Sequence, residues 1–326
     1  MPSSISSSLD TGYFINNSEN NNGDYSSVST SEAGYWEPHT SSIDFCESNY
    51  LLSPHIVEPH NVWSSLFGLS LFGILGILYG NPTNEWRIFL IYFILLIIGL
   101  GSACLHASLH WCFQSFDELP MIYLVVVGLF AIIEVDSPRR KPKYPRLAIY
   151  LVLLSCINTA VYYKYQHLYL IFLLTFSGLT VVAFGLHVQI AKRLYDENKK
   201  IERGGTIMIR GKKIRYNNNA IALRFYKLHG ISYVLIASPI WVLDQFHCGY
   251  LLPIYNALPF PLKGMTLHVV WHTCAGLGVH YFVQFLCAVR ASELGMECDT
   301  KSLLGILPVV TVAKESKAAN GNVKQA

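Results

Sequence analysis

Two distant stretches hold side chains whose types and spacing suit metal-assisted hydrolysis. The first, TLHVVWHTCAGLGVHYF over residues 266–282, sets His268 and His272 four apart. On a helix that spacing puts both imidazoles on one face, with Cβ atoms about 5–6 Å apart, as two ligands of one metal require. The second, GSACLHASLHWCFQSFDELPMIY over residues 101–123, places Ser102, His106 and His110 at steps of four, with Asp117 and Glu118 following. Three neutral imidazoles and a water make a catalytic zinc site with an open fourth position. Zinc lowers the pKa of such a water toward ~7. Asp117 would orient that water and take its proton, and Ser102 would hydrogen-bond a developing oxyanion. His106 and His110 form a second i, i+4 pair, and His280 lies two turns beyond His272. A single histidine on an apolar helix is more often a packing residue than a ligand, and spacing alone does not choose three ligands among these five.

The elements that must position these groups are membrane helices. Of 326 residues 52% are hydrophobic and 14% charged, against roughly 25% charged in soluble domains. That composition predicts an all-α, polytopic, seven-helix membrane bundle. Seven apolar runs, at about 62–80, 88–106, 119–133, 147–163, 168–190, 220–243 and 266–289, each approach the ~20 residues that span a bilayer. A polar turn is expected after His110, with Asp117 and Glu118 opening the third run. Gly68, Ser70, Gly73 and Gly76 in the first run, and Gly99 and Gly101 in the second, are the small residues expected where helices approach closely in lipid.

Basic residues orient the bundle. The loop after the third run holds Arg139, Arg140, Lys141, Lys143 and Arg146, and the loop after the fifth holds nine, from Lys192 to Arg215. Residues 107–118 contain no Lys or Arg, and 245–265 only Lys263. The positive-inside rule then predicts a lumenal N-terminus and a cytosolic tail over 291–326. With seven spans, all the candidate chemistry shares one face, whichever way the chain is inserted. Residues 1–35 lack the apolar core of a cleavable signal, so the first run is expected to act as its own insertion signal.

Residues 1–33 are rich in Ser and Asn and are predicted to be disordered, with Asn16 in a glycosylation sequon. Residues 34–61 are aromatic and acidic, with Glu37, Asp44, Glu47 and Glu58, and are expected to form an ordered cap on the spans at 62–290. Eight cysteines, with no CxxC pair, argue against a cysteine-type structural zinc site. Nothing in the sequence implies a nucleic-acid or obligate protein partner.

GYWEPHTSSIDFCESNY, GSACLH, DELPMIY and HVVWH together, in this order from about Gly34 to Leu307, resemble the alkaline ceramidases. These are seven-helix membrane hydrolases related to the progestin/adiponectin receptors. The resemblance implies that His106, His268 and His272 bind zinc, that Ser102 and Asp117 are catalytic, and that His110 and His280 are structural. It further implies a calcium ion held by Asp44, the Phe45 carbonyl, Glu47, Asn49 and Glu58, a set of hard oxygen ligands suited to that cation. The implied reaction cleaves ceramide to a sphingoid base and a fatty acid, with the reverse condensation also allowed, in the endoplasmic reticulum or Golgi membrane. WVLDQFHC, residues 241–248, keeps the family's Asp244. Cys46 and Cys248 both fall on the expected lumenal, oxidising face, and a disulfide is predicted between them. The alternative function is a seven-helix lipid receptor with a structural zinc; the acidic cap and DELPMIY favour the hydrolase. A transporter is weaker, because no span shows a Gly/Pro break around a central charge.

Overall fold

The computed structural model describes residues 34–138, 141–165, 167–203 and 210–312. The expectations for residues 1–33 and Asn16, for Arg139 and Arg140, and for the final residues with Lys314, Lys317 and Lys324 lie outside the described residues. Among those described, seven helices are long and apolar enough to cross a membrane: α1 (Pro59–Tyr79), α2 (Trp86–Ser108), α3 (Trp111–Ile133), α4 (Pro145–Lys164), α5 (Tyr169–Arg203), α6 (Gly211–Phe246) and α7 (Leu267–Glu293). A short helix, Cys248–Asn256, links α6 to α7. The chain is an all-α membrane bundle.

Burial ranks the helices. Of its most apolar stretch, α7 buries 72% and α4 only 6%, so α7 is the axis and α4 lies at the periphery. Glycines set how closely α7 is approached. A Cβ on Gly276 would collide with the Gly68 carbonyl, and one on Gly68 would meet the Thr273 amide at 2.8 Å. At this crossing α1 widens into a π-turn, Leu66–Ser70, the kind of local bulge that often marks functional regions.

The junction between α2 and α3 is tighter than the expected polar turn. Helix α2 ends at Ser108 and is capped by Leu109, whose backbone is left-handed at φ 48°, and α3 begins at Trp111. Asp117 therefore sits two turns inside α3 rather than at its start. Gln114 and Ser115, which look like turn residues, are buried in the helix, and Gln114 Nε2 donates to Ser42 Oγ of the cap at 2.7 Å. Pro120, further along α3, has no amide to offer the Phe116 carbonyl. Gly101 of α2 faces that carbonyl so closely that a Cβ would strike it. This contact draws Ser102 to the level of Asp117. Gly101→Val is expected to cost about 1–3 kcal/mol of stability by overpacking; unchanged thermal melting of the purified variant would contradict the close approach.

The cap folds onto the end of α2. Val57 and Glu58 amides donate to the Ala107 and His106 carbonyls at 3.1 and 2.9 Å, and Thr40 and Ser41 amides to the Leu109 carbonyl at 3.0 and 2.9 Å. Carbonyls in the last turn of a helix have no partners within it, and here the cap supplies them. At the opposite end, part of the stretch read as a tail is an antiparallel hairpin of β1 (Cys298–Leu303) and β2 (Leu307–Val312), with Cys298 opposite Val312. It packs beneath α7: the Val310 amide donates to Gln284 Oε1 at 2.6 Å.

Candidate active site

Helices α2 and α7 bring His106, His268 and His272 together, as the spacing on each helix requires. All three are buried, and one potential ligand atom from each lies within 4.8 Å of the others. Among the described residues this is the group of three or more His, Cys, Asp or Glu placed to share an ion. Ring centroids are 5.2 Å apart for His106–His268 and His106–His272, and 4.5 Å for His268–His272.

The outer nitrogens are held by α1 and the residue that precedes it. His106 Nδ1 donates to Glu58 Oε2 at 2.5 Å, and His272 Nδ1 lies 2.7 Å from Ser64 Oγ. Ser64 in turn donates to the Asn61 carbonyl at 3.0 Å, so the network assigns the proton to His272 Nδ1 and leaves Nε2 with its lone pair. Such outer partners fix tautomer and ring orientation in histidine metal sites. His106 Nε2 and His268 Nδ1 are buried with no hydrogen-bond partner. Buried polar atoms of this kind are normally satisfied, and a metal with imidazole affinity fits the donor set.

Ser102 and Asp117 complete the centre. Ser102 Oγ lies 3.3 Å from His272 Nε2 and 3.0 Å from Ser65 Oγ, and its hydroxyl interacts with the Asp117 carboxylate. Phe45 covers the histidines from the cap, its ring centroid 4.5 Å from His106 and 4.6 Å from His268. The start of α7 is anchored through Tyr255, whose hydroxyl donates to Asp244 Oδ1 at 2.9 Å and accepts the Leu267 amide at 3.3 Å.

Of the residues expected to bind calcium, Glu47 and Glu58 are buried in the cap, while Asp44 and Asn49 are exposed and interact with each other. Glu47 already accepts the His60 and Asn61 amides, both at 2.8 Å, and so caps the N-terminus of α1 from outside the helix. Glu58 Oε1 is buried without a partner. Burial pushes the Glu47 carboxyl up to about 7. Burial and the neighbouring Asp44 and Glu47 charges raise Glu58 well above the usual carboxylate range. A nearby divalent cation would favour the charged forms.

Cys46 is joined to Cys248, with Cα atoms 5.4 Å apart, tying the cap to the linker before α7. His110 stands apart from the trio, 3.4 Å from Thr40 Oγ1 and against the Trp36 ring. His280 bonds Tyr92 Oη at 3.1 Å and the Pro308 carbonyl at 2.9 Å. The sequence reading missed Ser64, Ser65 and the ring of Phe45 as parts of the site. Ser64 and Ser65, at the start of an otherwise apolar run, were the available signal.

Comparison with known proteins agrees over nearly the whole described region. A family model described as Ceramidase matches residues 37–310. Mouse alkaline ceramidase 3 is 26% identical over 292 residues, covering 87% of this chain and 97% of that protein. Saccharomyces cerevisiae alkaline ceramidase YPC1 is 27% identical over 287 residues, covering 83% of each chain, and Arabidopsis thaliana alkaline ceramidase is 25% identical over 284 residues, covering 86% and 96%. With three buried histidines, a serine and an aspartate converging in a seven-helix bundle, and a family model matched across most of its length, this chain belongs to the ceramidase family.

Proposed function

We propose that the protein is a zinc-dependent ceramide amidohydrolase, releasing a sphingoid base and a fatty acid. The convergence of His106, His268 and His272 beside Ser102 and Asp117 carries this reading. Zinc held by the three imidazoles would supply Lewis-acid polarisation and an acidified water at neutral pH. The chain's own residues then divide the proton work. Asp117 accepts a proton as water adds to the amide carbonyl carbon. The Ser102 hydroxyl donates to the oxygen that gains charge. As the C–N bond breaks, Asp117 returns the proton to the leaving nitrogen. Run backwards, the same steps join a free fatty acid to a sphingoid base. Incubating detergent-purified protein with ceramide tests the reading: sphingoid base should appear, stop on zinc chelation and return on zinc addition. Base released undiminished after complete zinc removal would refute the metal dependence.

The loop charges support a lumenal cap and a cytosolic C-terminus, and the Cys46–Cys248 pairing supports an oxidising compartment for the cap. These fit an endoplasmic reticulum or Golgi membrane. The acidic cap would hold calcium through Asp44, the Phe45 carbonyl, Glu47, Asn49 and Glu58. Because Glu58 also holds His106, a calcium ion there would steady a zinc ligand. Calcium at a hundred times its dissociation constant should add about 2.7 kcal/mol to stability, seen as a raised melting temperature that Asp44→Ala abolishes. Identical melting with and without calcium would remove the site.

A further inference from the structure

A second set of buried polar atoms, remote from the histidine trio, has no role in the chemistry above. They lie in a cavity of about 280 Å³ between α2, α3, α5, α6 and α7. Trp271, stacked on His268 at 4.9 Å, stands at one end, and Phe282 and His187 line the other. The eleven residue steps from Trp271 to Phe282 rise about 16 Å along α7. Helix α5 packs on the first half of α6 and parts from its second half. The exposed lining residues Val181 and Ser238 mark where the cavity opens sideways toward lipid. Its shape and apolar wall suit a hydrocarbon chain extending inward from the candidate active site.

The inner end is not apolar. His187 is 1% exposed and neither of its ring nitrogens has a hydrogen-bond partner. It sits among rings, with centroids 4.2 Å from Phe285, 4.9 Å from Tyr226 and 5.0 Å from His229. Thr180 Oγ1, two turns earlier on α5, is also buried and unpartnered. Leaving such a group unpaired costs about 1–3 kcal/mol. A neutral imidazole presents one N–H and one lone pair, and a hydroxyl pairs with either. A carboxylate or ammonium would bring a charge into the hydrocarbon layer at roughly 2.5–3.5 kcal/mol, and a plain chain would satisfy nothing.

We propose that His187, with Thr180, reads a hydroxyl on the lipid chain, so that the cavity selects amide lipids hydroxylated beyond the chain midpoint. Between His272 and the level of Phe282 lie about 15 Å, which an extended chain covers in roughly a dozen bonds. This deepens the ceramidase reading and rests on it for the nature of the substrate.

The test uses the full-length protein in detergent and three ceramides that share a base and an octadecanoyl chain. One chain is plain, one carries a hydroxyl beside the carbonyl, and one carries it beyond the midpoint. Affinity is read from ligand-dependent melting shifts, which need no turnover, and product release is followed in parallel. Wild-type protein should bind the distally hydroxylated ceramide about 5–10-fold more tightly than the other two, as one buried hydrogen bond predicts. His187→Leu should reverse the order in favour of the plain chain. Equal binding of the three by wild type, binding of none, or equal weakening of all three in His187→Leu would overturn the proposal. The wild-type comparison decides even where the variant does not fold. A distal preference without any hydrolysis would keep the hydroxyl site and refute the amidohydrolase; hydrolysis without preference would do the reverse.

Discussion

His268→Ala should yield a folded membrane protein that retains little zinc and cleaves ceramide at about a thousandth of the wild-type rate, the several kcal/mol that such a metal supplies. The side chain is one of three converging imidazoles, and its removal leaves two ligands where a closed protein set of three is needed. The helix should survive the change. The start of α7 is held through the Leu267 amide and the Tyr255 hydroxyl, not through the imidazole, and alanine is the best helix former. His110→Ala is the matched control at the same end of the bundle. It touches Thr40 and Trp36 but none of the trio, so zinc content and turnover should both hold. If His110→Ala lost zinc and His268→Ala kept it, the assignment of ligands would be wrong.

Asp117→Asn should separate chemistry from metal binding. Asparagine keeps the size and the contact with Ser102 but accepts no proton at neutral pH. The loss of a positioned proton acceptor is expected to lower kcat by about 10²–10⁴-fold. Zinc content should stay at the wild-type level, because the three imidazoles and their Glu58 and Ser64 partners are untouched. A zinc-replete Asp117→Asn protein working at more than about a tenth of the wild-type rate would remove Asp117 from the proton transfers.

The parts of this site that were legible in sequence are those governed by helical period. His268 and His272, four apart, do face the same way, and so do Ser102 and His106. His110 has the same spacing from His106, yet it does not join them. The reason is a backbone one: Leu109 takes a left-handed conformation, the helix ends there, and His110 starts a new one. Period cannot reveal where a helix stops when no glycine or proline announces it. The seven spans were legible from apolar runs, although Gln114 and Ser115 disguised the first turns of α3 as a loop. Contacts between residues far apart in sequence were not legible. Nothing local marks Glu58 as the partner of His106, Phe45 as the cover over two histidines, or Gly101 as the neighbour of a carbonyl freed by Pro120. Each depends on how α1, the cap and α3 pack around α2. The hairpin under α7 was hidden for a related reason: β1, Cys298–Leu303, alternates only weakly, and its burial comes from α6 and α7 rather than from its own pattern.

The central claim is that water, handled by Asp117 and Ser102 beside the three histidines, cleaves the amide of ceramide. The most direct test is to run the purified, zinc-loaded protein in oxygen-18 water and weigh the released fatty acid by mass spectrometry. The account predicts fatty acid with a solvent-derived oxygen in its new carboxyl group and unlabelled sphingoid base in equal amount. Zinc-loaded protein that binds ceramide yet releases neither product would contradict it.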